Sequence, residues 1–195
     1  MSVHALALSP THEFTKQPVS RLTLLAGLGV QGDCHAGATV QHRSRLHIQP
    51  PPPNLRQVHL IPKEILDECG VEPGQLGENV TTVGVDLLAL GRGTRLHFLP
   101  SGSSSSGSGS GDDGLDLTIQ KPHAVVVVQG LRNPCPQIDK FRAGLKERFI
   151  VRDEERRIVG RRAGVMGTVE VGGEVSVGMR IVVESRGVFE ALGCV

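Results

Sequence analysis

A cysteine between two prolines is the residue of this chain best placed to do chemistry. Cys135 lies in the sequence GLRNPCP at 130–136. Pro136 suits the first position of a helix, and it holds the preceding residue in the extended backbone that an N-cap adopts. A helix start and the nearby Arg132 both favour a thiolate, the form that attacks electrophiles and binds soft metals. The other interpretation, a small buried side chain, is the more usual one for a cysteine.

The elements that must position Cys135 are a strand before it and a helix after it. Residues 124–128 are apolar and contain four valines, a pattern typical of a buried strand. Ile138, Phe141 and Leu145 then recur at helical spacing. We therefore expect the cysteine where a strand ends and a helix begins.

Short valine-rich runs and 25 glycines predict a mainly β fold with many turns. A closed or nearly closed β-barrel with two or three peripheral helices is expected, as a single domain over 1–195. The Gly/Ser run at 101–111 is predicted to be a disordered insertion between adjacent strands. The predicted strands are 3–8, 21–25, 55–61, 80–83, 94–99, 124–128, 164–171 and 180–184. A buried segment is predicted at 85–90, a helix at 63–69, a loop at 11–20 and a hairpin turn at 172–173.

The composition excludes several classes of protein. The net charge is only +1 and the aromatic residues are all phenylalanine, which argues against nucleic-acid binding by bulk charge or base stacking. No apolar run reaches membrane length and the cysteines form no CxxC pair, so we expect a cytoplasmic location and no membrane. The glycine-rich segment 27–33 is not followed by a clear helix, which argues against NAD binding.

Polar chemistry is concentrated between residues 33 and 47. This segment contains three histidines, a carboxylate and a thiol, but their spacing matches neither a zinc finger nor a helical His pair. An anion-binding rim is favoured instead, in which Arg43 and Arg45 bind phosphate or carboxylate and His35 donates or accepts hydrogen bonds inside the pocket. A solvated loop is the alternative for Arg45 and His47. No zinc or haem motif is found.

Three motifs together resemble those of the MOSC family, which is named after the C-terminal domain of molybdenum cofactor sulfurase. They are GDCHAG at 32–37, LGENVTT at 76–82 and LRNPC at 131–135. Their order and spacing are similar to those of the stand-alone, single-domain members, and the resemblance covers nearly the whole chain. It implies a β-barrel core with the motif cysteine at one mouth.

The resemblance also implies a cofactor and a reaction. Cys135 would be the ligand of molybdenum in a molybdopterin cofactor, and the protein would reduce N-hydroxylated small molecules. Because the chain has no iron–sulfur or flavin motif, a separate protein would donate the electrons. The implied cofactor-binding residues are Asp33, His35, Arg43, His59, Glu78, Asn79, Thr81, Arg132 and Asn133, with Arg43 and Arg132 assigned to the phosphate and Asn79 and Asn133 to the pterin edge or the metal oxo group.

Two other functions remain open. Cys135 could carry a persulfide from a sulfur donor to an acceptor without any metal. Alternatively, the protein could be a pterin- or phosphate-binding module without catalytic activity. The substrate and the oligomeric state are not predicted.

Overall fold

The structure, a computed structural model, describes residues 1–42, 45–101, 122–185 and 187–195. Arg43 and most of the Gly/Ser run therefore lie outside the described residues, and the predictions made for them stay predictions. The elements of the described residues are β1 (Ser2–Leu8), β2 (Gln17–Val19), β3 (Arg21–Leu25), β4 (Gly29–Val30), β5 (Val58–Pro62), α1 (Lys63–Cys69), β6 (Val80–Val83), β7 (Arg95–Leu99), β8 (Val125–Leu131), α2 (Gln137–Phe141), β9 (Ile150–Arg152), β10 (Ile158–Arg161), β11 (Val165–Val171), β12 (Gly173–Ser176) and β13 (Arg180–Glu184).

Seven strands form a closed barrel in the order β1-β13-β7-β8-β11-β5-β6, and β6 returns to β1. All neighbouring pairs are antiparallel except β5 and β6. The predicted closed, mainly β barrel with two peripheral α-helices is confirmed. No helix among the described residues is long and apolar enough to cross a membrane.

The barrel interior is filled by side chains that alternate along the strands. Val126 and Val128 on β8 are fully buried, as is Leu96 on β7, and Phe98 is nearly so. This alternation places every second residue inside, as expected for a barrel wall.

A second, smaller core lies under α1 and α2. Ile65, Leu66 and Cys69 of α1 pack there with Ile138 of α2 and with Phe149. The predicted helix at 63–69 is confirmed. Gly70 ends the helix in the left-handed region, at φ 63°.

Two sequence predictions about loops are wrong. The predicted loop 11–20 contains β2, which pairs with β1. Gly172 and Gly173 do not form a hairpin turn, because β12 pairs with β3 and not with β11. An added Cβ at Gly172 would lie 2.9 Å from the Leu24 carbonyl oxygen, so glycine is needed here for a close approach between backbones and not for a turn.

The segment around Cys135 also differs from its prediction. Strand β8 continues to Leu131, three residues beyond the predicted end, and α2 begins at Gln137 with Pro136 as its N-cap. The cysteine therefore lies in the loop before the N-cap. The charged segment 146–162 forms a short 3-10 turn and the hairpin of β9 and β10.

Candidate active site

A cavity of about 480 Å³ lies beside the point where β8 leaves the barrel. The loop after β8 forms one side of the cavity, and His59 of β5 and Met166 of β11 contribute one side chain each. The long loops after β1 and β4 close the remaining sides. Its polar lining residues are His12, Glu13, Lys16, His35, His42, Arg45, Arg56, His59, Asn79, Arg132, Asn133, Cys135 and Gln137.

Cys135 is held at the cavity by backbone hydrogen bonds on both sides of it. The Arg132 N–H donates to the Gly164 carbonyl at 3.0 Å, and the Cys135 carbonyl accepts from the Ile138 N–H at 3.1 Å. The cysteine is a free thiol of intermediate exposure that packs against the smaller core. Its side chain can therefore reach a ligand in the cavity without leaving its place.

Arg132 is a buried cation with an incomplete set of partners. Its residue exposure is only 8%, and among the described residues nothing accepts a hydrogen bond from its Nη1. Burial lowers the pKa of its guanidinium, although Cys135 and Glu78 act in the opposite direction. A guanidinium in this situation is a binding site for an anion, because burying it without a partner costs free energy.

Arg56 makes the same region more positive. Its Nε is also buried without a hydrogen-bond partner among the described residues. The pKa of its guanidinium is lowered to about 10, mainly by burial and further by the charges of Arg45 and Arg132. Two guanidinium groups that repel each other across a cavity are stabilised by an anion between them.

Two of the lining histidines, His42 and His59, are held uncharged. The pKa of His42 is lowered to about 3, mainly by burial. The charges of Arg56, His35, Arg132 and Arg45 act in the same direction. Burial and Arg132 lower the pKa of His59 well below its usual value, and its Nε2 donates to the Ala163 carbonyl at 2.7 Å. His42 and His59 therefore add no positive charge to the cavity at neutral pH.

Asp33 is the centre of a buried network that supports the cavity from behind. Its carboxylate accepts hydrogen bonds from Lys16 Nζ at 2.6 Å, from Asn79 Nδ2 at 3.0 Å and from the His35 backbone N–H at 3.0 Å. Burial alone would raise its pKa, but the His35 and Lys16 contacts outweigh burial and hold the pKa below its usual value. Burial lowers the pKa of Lys16. Asp33 thus orients three lining residues and does not itself line the cavity.

Glu78 and Thr81 also lie behind the cavity wall. Glu78 is fully buried and accepts hydrogen bonds from the backbone N–H groups of Gly74 and Leu76 and from the Thr81 hydroxyl. Burial raises the pKa of its carboxyl. These contacts shape the turn before β6, which presents Asn79. The structure therefore gives Glu78 and Thr81 a supporting position.

Six of the predicted binding residues come together at one cavity. They are His35, His59, Asn79, Arg132, Asn133 and Cys135. Asn133 is exposed, and its Oδ1 accepts from Arg161 Nε at 3.0 Å, so one arginine of the charged segment reaches the cavity edge.

Sequence reasoning missed Lys16, Arg56 and His12 as lining residues. Lys16 and His12 lie in the segment that we interpreted as a loop, and Arg56 lies in a predicted strand. Nothing local distinguishes these residues from ordinary surface residues, because strands that are distant in sequence bring them to the cavity. The one local indication is the position of Arg56, only two residues before the fully buried β5, where a partly buried side chain is expected.

No protein-family model matches the chain, and no curated protein matches it in sequence. Solved structures do match. YuaD from Bacillus subtilis superposes with a TM-score of 0.66 and 24% identity, covering 95% of this chain and 96% of that one. YiiM from Escherichia coli has a TM-score of 0.54 and 18% identity, covering 98% and 73%, and YiiM from Geobacillus stearothermophilus has 0.54 and 15%, covering 98% and 77%. The chain shares the fold of these proteins.

Proposed function

We propose that this chain is a MOSC-like protein that binds a molybdenum cofactor, with Cys135 as the metal ligand, and reduces small N-hydroxylated molecules. Three motifs in family order support the proposal, and so does the fold shared with YuaD and YiiM. The observation that carries it is the pairing of a half-buried thiol with the buried Arg132, whose Nη1 has no partner among the described residues.

The residues at the cavity fit an anionic, metal-bearing ligand. Arg45, Arg56 and Arg132 outnumber the single carboxylate of Glu13, while Lys16 is already paired with the buried Asp33. Hydrogen bonds between charged groups contribute about 1.5–3 kcal/mol each, which suits a phosphate or a phosphate-bearing pterin. The thiol adds a donor that prefers soft metals.

Each residue of the cavity would have a distinct role. Arg132 and Arg56 would hold the anionic group, and the amides of Asn79 and Asn133 would orient the pterin edge or the metal oxo group. Cys135 would ligate the metal as a thiolate, so its proton must be lost on binding. When bound, the molybdenum cofactor supplies two-electron redox chemistry, and a separate protein would supply the electrons.

The test is expression in a host that makes the cofactor, followed by molybdenum and pterin analysis of the purified protein. Wild type should contain both, and should reduce an N-hydroxylated compound with a surrogate electron donor. Cys135→Ser should keep the pterin through its cationic contacts but lose the reduction, because a serine hydroxyl stays protonated and is a poor ligand for a soft metal.

Cys194→Ser is the matched control for this experiment. Cys194 is exposed, and its backbone bridges Leu131 beside the same cavity. This variant should keep both the cofactor and the reduction. Absence of molybdenum and pterin from wild type, or full activity in Cys135→Ser, would overturn the proposal.

A persulfide carrier is the second candidate function. The observation that favours it is the same thiol among arginines, because a persulfide anion would also be stabilised by Arg132 and Arg56. Wild type would then release cyanide-labile sulfur and contain no molybdenum, and Cys135→Ser would lose the labile sulfur. If wild type contains neither sulfane sulfur nor molybdenum, both candidate functions are excluded, and the remaining one is an anion-binding module without catalytic activity.

A further inference from the structure

We propose that His12, Cys34 and His35 form a binding site for one zinc(II) ion at the rim of the cavity. The site is separate from Cys135 and does not depend on the proposed function. The three residues each offer one ligand atom, and these atoms lie within 4.8 Å of one another. His12 and His35 line the cavity, whereas Cys34 does not.

The distances are close to those that a tetrahedral zinc site needs. Zinc–sulfur and zinc–nitrogen bonds of about 2.3 and 2.0–2.1 Å place neighbouring ligand atoms about 3.4–3.6 Å apart. Cys34 Sγ lies 3.2 Å from His35 Nδ1, so this pair is already within bonding range of a shared ion. The His12 side chain is exposed and needs to move by only about 1 Å to complete the site.

The surroundings of His12 resemble those of a metal-bound histidine. His12 Nε2 lies 3.0 Å from the Gln41 carbonyl oxygen, which can only accept, so this nitrogen carries the proton and Nδ1 keeps its lone pair. Metal-bound histidines commonly donate their second N–H to such a carbonyl. Asp33 Oδ1 accepts from the His35 backbone N–H at 3.0 Å and lies 3.2 Å from His35 Nδ1, so this nitrogen carries the proton in the metal-free protein. Zinc binding at Nδ1 therefore moves that proton to Nε2 and leaves the Asp33 carboxylate beside the cation.

The donor set selects the class of metal. One thiolate and two imidazoles suit zinc(II), whereas calcium and magnesium require oxygen ligands. Binding replaces the thiol proton of Cys34, which is released to solvent. Three protein ligands leave the fourth tetrahedral position for water or an anion, and two of the three ligands face the cavity.

Spacing along the chain hides this site. Cys34 and His35 are adjacent, and His12 comes from 22 positions before Cys34, so no compact zinc motif is present. The structure brings His12 to the rim and adds ring contacts, with the His12 and His35 centroids 5.3 Å apart. The third ligand, His12, lies outside the polar segment 33–47, whose own spacing matches no zinc motif.

The experiment is a titration of metal-free, full-length protein with cobalt(II) as the spectroscopic probe, followed by displacement with zinc(II). We expect one equivalent to produce thiolate-to-cobalt charge transfer and the d–d bands of a tetrahedral site. Cys34→Ser should abolish the charge transfer. Removal of an outer partner costs about 10–100-fold in metal affinity, so loss of the ligand in His12→Ala should cost at least about 100-fold.

Two matched variants locate the site. His4→Ala removes an exposed histidine on β1, and Cys194→Ser removes an exposed thiol; both should leave the titration unchanged. Because His12 is exposed, His12→Ala tests the site even if Cys34→Ser fails to fold. Charge transfer that survives Cys34→Ser but is lost in Cys135→Ser would overturn the proposal. So would the absence of a tetrahedral signal in wild type, or equal weakening by His4→Ala and His12→Ala.

Discussion

Arg132 shows how one residue can be unfavourable for stability and still fit a functional site. It is nearly inaccessible, its Nη1 has no partner among the described residues, and Arg56 is close enough to raise the local positive potential. Replacing buried charges by apolar side chains of similar size is often neutral or stabilising by about 1–4 kcal/mol. An arginine in this environment is consistent with selection for a ligand.

We predict that Arg132→Met stabilises the ligand-free protein and weakens anion binding. The free energy of unfolding should rise by about 1–3 kcal/mol, because an incompletely paired charge no longer has to be buried. Affinity for phosphate or the pterin phosphate should fall about 10–100-fold. Chemical denaturation and equilibrium binding of the anion measure the two effects.

Arg21→Met is the control for this pair of measurements. Arg21 is exposed on β3 and pairs with Glu174 at the surface, so neither stability nor anion binding should change beyond a few tenths of a kcal/mol. Destabilisation by Arg132→Met with unchanged anion affinity would show that Arg132 is a structural cation.

At the level of single elements, Gly164 is the residue through which strand β11 contacts the loop that contains Cys135. It precedes β11 with φ +87°, and its carbonyl accepts the Arg132 N–H. An added Cβ would overlap the Leu60 carbonyl oxygen and lie 3.0 Å from His59 Nε2. Strand β5 and the Cys135 loop can approach this closely only because residue 164 has no side chain.

We predict that Gly164→Ala destabilises the protein by more than about 3 kcal/mol. The left-handed backbone alone costs about 1–2 kcal/mol for a residue with a Cβ, and the overlap with β5 adds to it. Gly144→Ala is the matched control, because Gly144 also has a positive φ, 75°, but no described atom within 4 Å of an added Cβ. Denaturant unfolding of both variants should give a clear difference; equal losses would contradict the close packing of β5 against residue 164.

For the molecule as a whole, the uncharged histidines His42 and His59 make the free energy of unfolding fall as the pH is lowered. The folded state holds the pKa of His42 at about 3, below its usual 6.5, so between these values the unfolded chain binds more protons. The stability contributed by neutral His42 is therefore present above about pH 6.5 and is lost as the pH falls towards 3. His59 contributes with the same sign.

We predict that His42→Gln reduces the loss of unfolding free energy between about pH 7 and pH 5. The control is His47→Gln, which changes an exposed histidine and should keep the wild-type slope. The raised pKa of Glu78 acts in the opposite direction, but it is common to all three proteins and cancels in the comparison. Parallel slopes for wild type and His42→Gln would show that His42 is accessible to protons in the folded state.

Local pattern alone predicted most of the elements and the pairing of Cys135 with Arg132 at the site. Alternation and glycine placement predicted the strand Arg21–Leu25, the helix Lys63–Cys69 and the strand Val80–Val83 with their observed bounds. The loop chemistry around Cys135 also identified Arg132 as its cationic neighbour. These features depend on residues close in sequence, whose backbone preferences act over one or two turns.

The tertiary structure decided which charges become buried and which residues meet. The closure of β13 on β1, and the parallel pairing of β5 with β6, bring Lys16, Arg56 and His12 to the cavity from segments that looked like ordinary loop and strand. The same packing places Asp33 and Glu78 behind the cavity wall, where they hold the lining residues by hydrogen bonds. Desolvation and long-range pairing depend on the whole barrel, and the roles of these residues therefore emerge only when the barrel closes.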